Sequence, residues 1–128
     1  MYKRFLTWGC IIAALAVALG AFGAHGLKKL VPIESIATFE TGVRYQFYHA
    51  FALLFVGILY ERFPVRSLRL AGSFFLIGIL LFSGSLYILT LLKATNTVGL
   101  TGIGAITPFG GLFFIGGWIA LLIGIIKK

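Results

Sequence analysis

The sequence predicts an all-α fold, an integral membrane four-helix bundle with a short interfacial helix between spans one and two. Three observations predict it. The 128 residues are 60% hydrophobic and only 11% charged, with a mean hydropathy of +1.07, whereas soluble domains carry roughly a quarter charged residues. Four apolar runs each approach the ~20 residues that a helix needs to cross about 30 Å of hydrocarbon. The eleven Lys and Arg residues fall mostly at the ends of those runs, not along one helical face, which is how spans are flanked and oriented. The net charge of +8 therefore does not signal nucleic acid, which would call for a basic stripe or a stacking platform. The lipid bilayer is the implied surrounding, and residues 1–128 read as one four-span domain with no room for a soluble one.

Span one covers residues 5–24, after Lys3 and Arg4. The basic start and Ala21-Phe22-Gly23 imitate a secretory signal, but the apolar core exceeds the 7 to 15 residues such signals use, so an uncleaved span is expected. Cys10 is the only cysteine. It leaves no intrachain disulfide or multi-cysteine metal site, and it is expected to be a small buried hydrophobe. Too few residues precede it for a lipoprotein signal. Ala16, Gly20 and Ala24 repeat every four residues, a stripe on which another helix can approach closely. His25 and Gly26 end the span, and Leu27 to Pro32 form an interfacial turn from which Pro32 opens the next helix.

Ile33, Ile36 and Ala37 recur at helical spacing and predict the interfacial helix. Span two covers residues 42–60, with Gly42 either a bend or the interior of one longer helix. Glu61 to Ser67 is a tight polar connection in which Pro64 discourages the helix from continuing. Span three covers residues 68–92. Lys93 to Ala105, with Asn96, Gly99, Gly102 and Gly104, reads as a loop. Span four covers residues 106–126, with Thr107 as N-cap and Pro108 at the first helical position. Gly116, Ala120 and Gly124 again repeat every four residues. Lys3, Arg4, Arg62, Arg66, Arg69, Lys127 and Lys128 fall on one side and Lys28, Lys29, Arg44 and Lys93 on the other, which puts both termini in the cytoplasm.

This topology gathers polar residues in one leaflet, because the end of span one, the start of two, the latter half of three and the start of four share it. His25, Glu40, Arg44, Tyr45, Gln46, His49, Ser83, Ser85, Tyr87 and Thr107 are the candidate binding residues, forming a polar pocket in the non-cytoplasmic half above an apolar inner half. Gly42, Tyr45, Gln46 and His49 share one stripe of helix two and are expected to face the interior. Glu40 and Arg44 lie on a separate row and are expected to pair at i, i+4.

Each has a structural alternative. The Glu40–Arg44 pair can simply order the helix entrance. His49 can be a buried imidazole bonded to a facing Ser or Tyr, His25 an interfacial ring, and Ser83 and Ser85 packing residues. The sharper chemistries have little support. No H-E-x-x-H or closely spaced ligand pair points to a metal, and His25 with His49 as haem ligands rests on residue type alone. A serine hydrolase would need a G-x-S-x-G turn and an acid to orient His49. No catalytic residue, metal or cofactor is assigned. A proton-coupled carrier uses such residue types, but four short spans would have to assemble as an oligomer to form one.

The motifs Gly20-Ala21-Phe22-Gly23-Ala24-His25-Gly26, Phe39-Glu40-Thr41-Gly42 with Tyr45-Gln46-Phe47-Tyr48-His49-Ala50, Phe82-Ser83-Gly84-Ser85-Leu86-Tyr87 and Ile106-Thr107-Pro108-Phe109-Gly110-Gly111 together resemble the small membrane proteins of domain of unknown function 423, related to transmembrane protein 256. The resemblance covers essentially the whole chain. It implies a four-span protein of the bacterial inner membrane and brings no catalytic activity. The residues point to a binding or assembly module that meets a membrane protein partner or a second copy of itself; the alternative is a small-molecule or proton-coupled transport component.

Overall fold

The computed structural model describes residues 1–95 and 101–127. Asn96 and Gly99 of the expected loop, and Lys128 of the terminal basic pair, lie outside them. Among the described residues four helical stretches are long and apolar enough to cross a membrane. They are α1 (Lys3–Ala24), α2 (Ile33–Leu59), a third span made of α3 (Arg66–Gly78) and α4 (Gly84–Ala94), and α5 (Thr107–Ile126). A wide π-helical turn, Ile79–Ser83, joins α3 to α4 without breaking the span. Short 3₁₀ turns occupy Leu27–Lys29 and Thr101–Ala105.

The chain forms these helices because a backbone in lipid must satisfy its own hydrogen bonds. Residues 33–41 are the first turns of α2 itself, not a separate helix. Gly42 lies in an uninterrupted helix, where its missing side chain serves packing: a Cβ there would sit 2.9 Å from the Tyr87 ring. Thr107 does not cap α5, whose preceding residue is Ile106; its hydroxyl is used elsewhere, as described below.

The helices pack as two antiparallel pairs, α1 on α2 and α3 on α5, which meet along α2 and the third span. The seams differ from the four-residue stripes that the sequence suggests. On α1 the buried positions are Phe5, Gly9, Ala16 and Gly23, with Ile12 and Leu19 partly buried between them. On α5 they are Gly110, Phe114, Gly117, Leu121 and Gly124. Steps of four residues drift about 40° around a helix each time, so such a row walks off the contact, whereas alternating steps of three and four stay on it. Ala24 is accordingly exposed, and Gly20 and Gly116 only half-buried. Cys10 is exposed on the outer side of α1, not buried as expected, because the seam runs through Gly9 and Ile12.

One apolar core joins Phe5 of α1, Leu53 and Val56 of α2, Leu68, Ala71 and Phe75 of α3, and Phe114 and Leu121 of α5. A second, smaller one lies at the other end, where Leu27 and Val31 tuck under Ala16, Phe39 and Val43.

Candidate functional site

The polar residues that the sequence brings into one leaflet divide into two groups, one closed and one open. The closed group ties the helices together. Gln46 is buried on α2; its Nε2 donates to the Ile12 carbonyl of α1 at 2.8 Å and its Oε1 accepts from the Tyr87 hydroxyl of α4 at 2.5 Å. One side chain thus links three helices. Ser83 is fully buried at the end of the π turn and donates to the Gly42 carbonyl at 2.6 Å, where the absent side chain of Gly42 lets α4 approach. Ser85 points the other way, donating to the Phe82 carbonyl at 2.8 Å and meeting Thr107 Oγ1 at 2.5 Å, so it binds α4 to α5.

His49 occupies an aromatic box. Its ring stacks on Phe114 at 3.6 Å between centroids with planes 7° apart, and Phe75, Tyr45 and Trp118 close the other sides. Nδ1 lies 2.8 Å from the Tyr45 carbonyl, and Nε2 receives the Trp118 indole N–H at 3.1 Å. A donating Nδ1 and an accepting Nε2 describe the neutral imidazole, with neither nitrogen left for a ligand or a substrate. Among the described residues every buried side-chain nitrogen and oxygen has a hydrogen-bond partner. No three His, Cys, Asp or Glu side chains among them come together.

The open group is His25, Glu40 and Arg44, all exposed. No ion pair joins Glu40 to Arg44 among the described residues. The expected helix-ordering pair is therefore not formed, although both side chains are exposed on one row of α2. Tyr45, expected to face inward, sits at the edge of the bundle at 37% exposure with its ring against Phe82. Ten sequence candidates thus resolve into a satisfied internal lattice and a surface.

That surface has a shape. Ile33, Ala37, Glu40, Arg44, Tyr48, Phe51, Phe55 and Ile58 are all exposed, and at about 100° per residue they fall within roughly 80° of one another. They form a straight stripe along the whole of α2, opposite its buried face. At the stripe's outer end an open groove of about 420 Å³ is lined by Lys28, Val31, Ile33, Ile36, Ala37 and Glu40.

Trp118 escaped sequence reasoning, although it carried a signal. Belt tryptophans sit near span ends, whereas Trp118 lies mid-span in α5, where an indole N–H needs a partner. The Ile12 carbonyl carried no signal, since backbone acceptors look alike in sequence.

The family described as "Protein of unknown function (DUF423)" matches residues 19–111. The UPF0382 membrane protein YwdK of Bacillus subtilis is 43% identical over 126 residues, covering 98% of this chain and 98% of that one. The UPF0382 membrane protein SSP2132 of Staphylococcus saprophyticus is 41% identical, with 98% of each chain covered. A UPF0382 membrane protein of Haemophilus influenzae is also 41% identical, over 100% of this chain and 98% of its own length. No solved structure matches the chain.

Proposed function

The chain belongs to the DUF423 family of membrane proteins, and with that family as premise we propose that it is a binding or assembly module of the cell membrane, both termini cytoplasmic, which works through the open face of α2. The observation that carries this reading is the pair Glu40 and Arg44, exposed and without an ion pair among the described residues, on the helix whose span is half buried, the largest share of the four. Charged side chains on a lipid-facing row are costly, and they mark contact sites or pathways. The internal polar residues support the same reading from the other side. Gln46, His49, Ser83 and Ser85 spend their hydrogen bonds on neighbouring helices, which gives a rigid frame to present the outer face.

Photo-crosslinking in native membranes tests this. A photoreactive amino acid at Tyr48, on the stripe, is expected to yield protein adducts, and one at Leu15, exposed on α1 at 53%, only lipid. Lipid adducts alone at both positions would overturn the assembly reading.

A further inference from the structure

Resting on that reading, we infer that the partner is a second copy of this chain inserted in the same orientation, joined along α2 in a two-fold dimer. In it, Glu40 of each chain pairs with the partner's Arg44. The stripe is self-complementary in charge: it carries one acidic and one basic side chain, four residues apart and unpaired within the chain among the described residues. A two-fold interface brings one patch against itself, so that residue i meets j and j meets i. Two opposite charges one turn apart satisfy each other twice in that arrangement, and a patch of one sign would repel its copy.

The spacing of the stripe supports a helix as occupant. Its exposed positions follow one another at steps of three and four residues, the rhythm that keeps two helices in register along a seam, and the same rhythm builds both internal seams of this fold. Below the charges it presents Tyr48, Phe51, Phe55 and Ile58, each about half exposed or more. These rings can stack against their symmetry mates.

Depth fits too. Counting ~20 residues back from Leu59 places Glu40 at the hydrocarbon boundary and Arg44 about one turn inside it. Side chains on a helix lean toward its N-terminus, so the Arg44 guanidinium reaches outward to the depth of the partner's Glu40. Ala37, the small residue between Ile33 and Glu40, forms part of the groove described above, which leaves room for the partner's Ile33.

The test is disulfide trapping in native membranes, in full-length C10S protein so that Cys10 does not contribute. F51C is expected to give a covalent dimer and L15C none. On the F51C background, E40R or R44E alone sets like charges against each other and is expected to lower the trapped fraction by about fivefold or more, while the double swap E40R/R44E restores it to within about twofold. Restoration requires that both charges belong to the same kind of chain. Absence of the F51C dimer, with a photo-adduct from Tyr48 to a different protein, would overturn self-pairing and leave the assembly reading standing. Absence of both overturns both, and an F51C dimer indifferent to the charge variants overturns the Glu40–Arg44 pairing.

Discussion

Two adjacent glycines, Gly110 and Gly111, ought to respond to the same substitution with opposite signs. A Cβ added at Gly110 would lie 2.8 Å from Phe82 Cα and nearer still to the Phe82 nitrogen. Those are backbone atoms of the π turn, so no side chain can swing aside. At Gly111 nothing lies within 4 Å of the added carbon. Gly→Ala raises helix propensity by about 0.5–1 kcal/mol at both positions, so that gain cancels in the comparison. The difference isolates the cost of forcing α5 off the third span, about 1–3 kcal/mol for one excess methyl group and at the upper end where only backbone can move. Gly110→Ala is expected to destabilise by about 2 kcal/mol and Gly111→Ala to be neutral or slightly stabilising. Reversible unfolding in mixed micelles, titrated with a denaturing detergent and followed by tryptophan emission, reads both. Two variants within ~0.5 kcal/mol of each other would refute the close packing of α5 against Phe82.

Gln46→Leu and Tyr87→Phe together form a double-mutant cycle. Its expected coupling is about 0.6 kcal/mol, the average for side-chain hydrogen bonds between membrane helices, and at most about 1.7; strict additivity would remove the bond. Ser83→Ala should cost about 1 kcal/mol through loss of its bond to Gly42, whereas the exposed Ser73 of α3 changed to Ala should leave the unfolding midpoint unmoved. His49→Leu removes the acceptor of the Trp118 indole N–H. It should shift the emission of Trp118, recorded in Trp8→Phe protein, and lower stability by about 1–3 kcal/mol; an unchanged spectrum would mean that the bond is not made.

The number and order of spans were legible because the bilayer imposes one strong rule, about twenty apolar residues per crossing, and the chain obeys it four times. The leaflet shared by the polar residues followed from topology. How those residues are used was not legible, because a short range of angles decides it. Gln46 and Glu40 are six residues apart, yet one bonds to two neighbouring helices and the other faces outward. The seams misled for a related reason. Four-residue repeats of small side chains are conspicuous in a glycine-rich sequence, but the contact follows the less visible seven-residue rows Gly9-Ala16-Gly23 and Gly110-Gly117-Gly124. The π turn at Ile79–Ser83 left no mark in the sequence, since its residues are ordinary for a span.

What the interior does limits what the surface can be for. A bundle that had kept an unpartnered carboxylate or imidazole inside would invite a proton or a ligand inward; here the buried imidazole has both nitrogens engaged and the buried amide is bonded at both ends. The unspent chemistry of the membrane half of the chain lies on the outer row of α2, where Glu40 sits at the hydrocarbon boundary and Arg44 must reach out to it, at a cost in side-chain freedom and partial desolvation. A lone copy carries that cost in full. Bringing two such rows together removes it without new residues and without disturbing the frame, because the buried face of α2 lies on the far side of the helix. Assembly should therefore stabilise each copy, and E40R/R44E dimers should unfold at nearly the denaturant level of the parent while either single variant unfolds earlier and with less dependence on protein concentration.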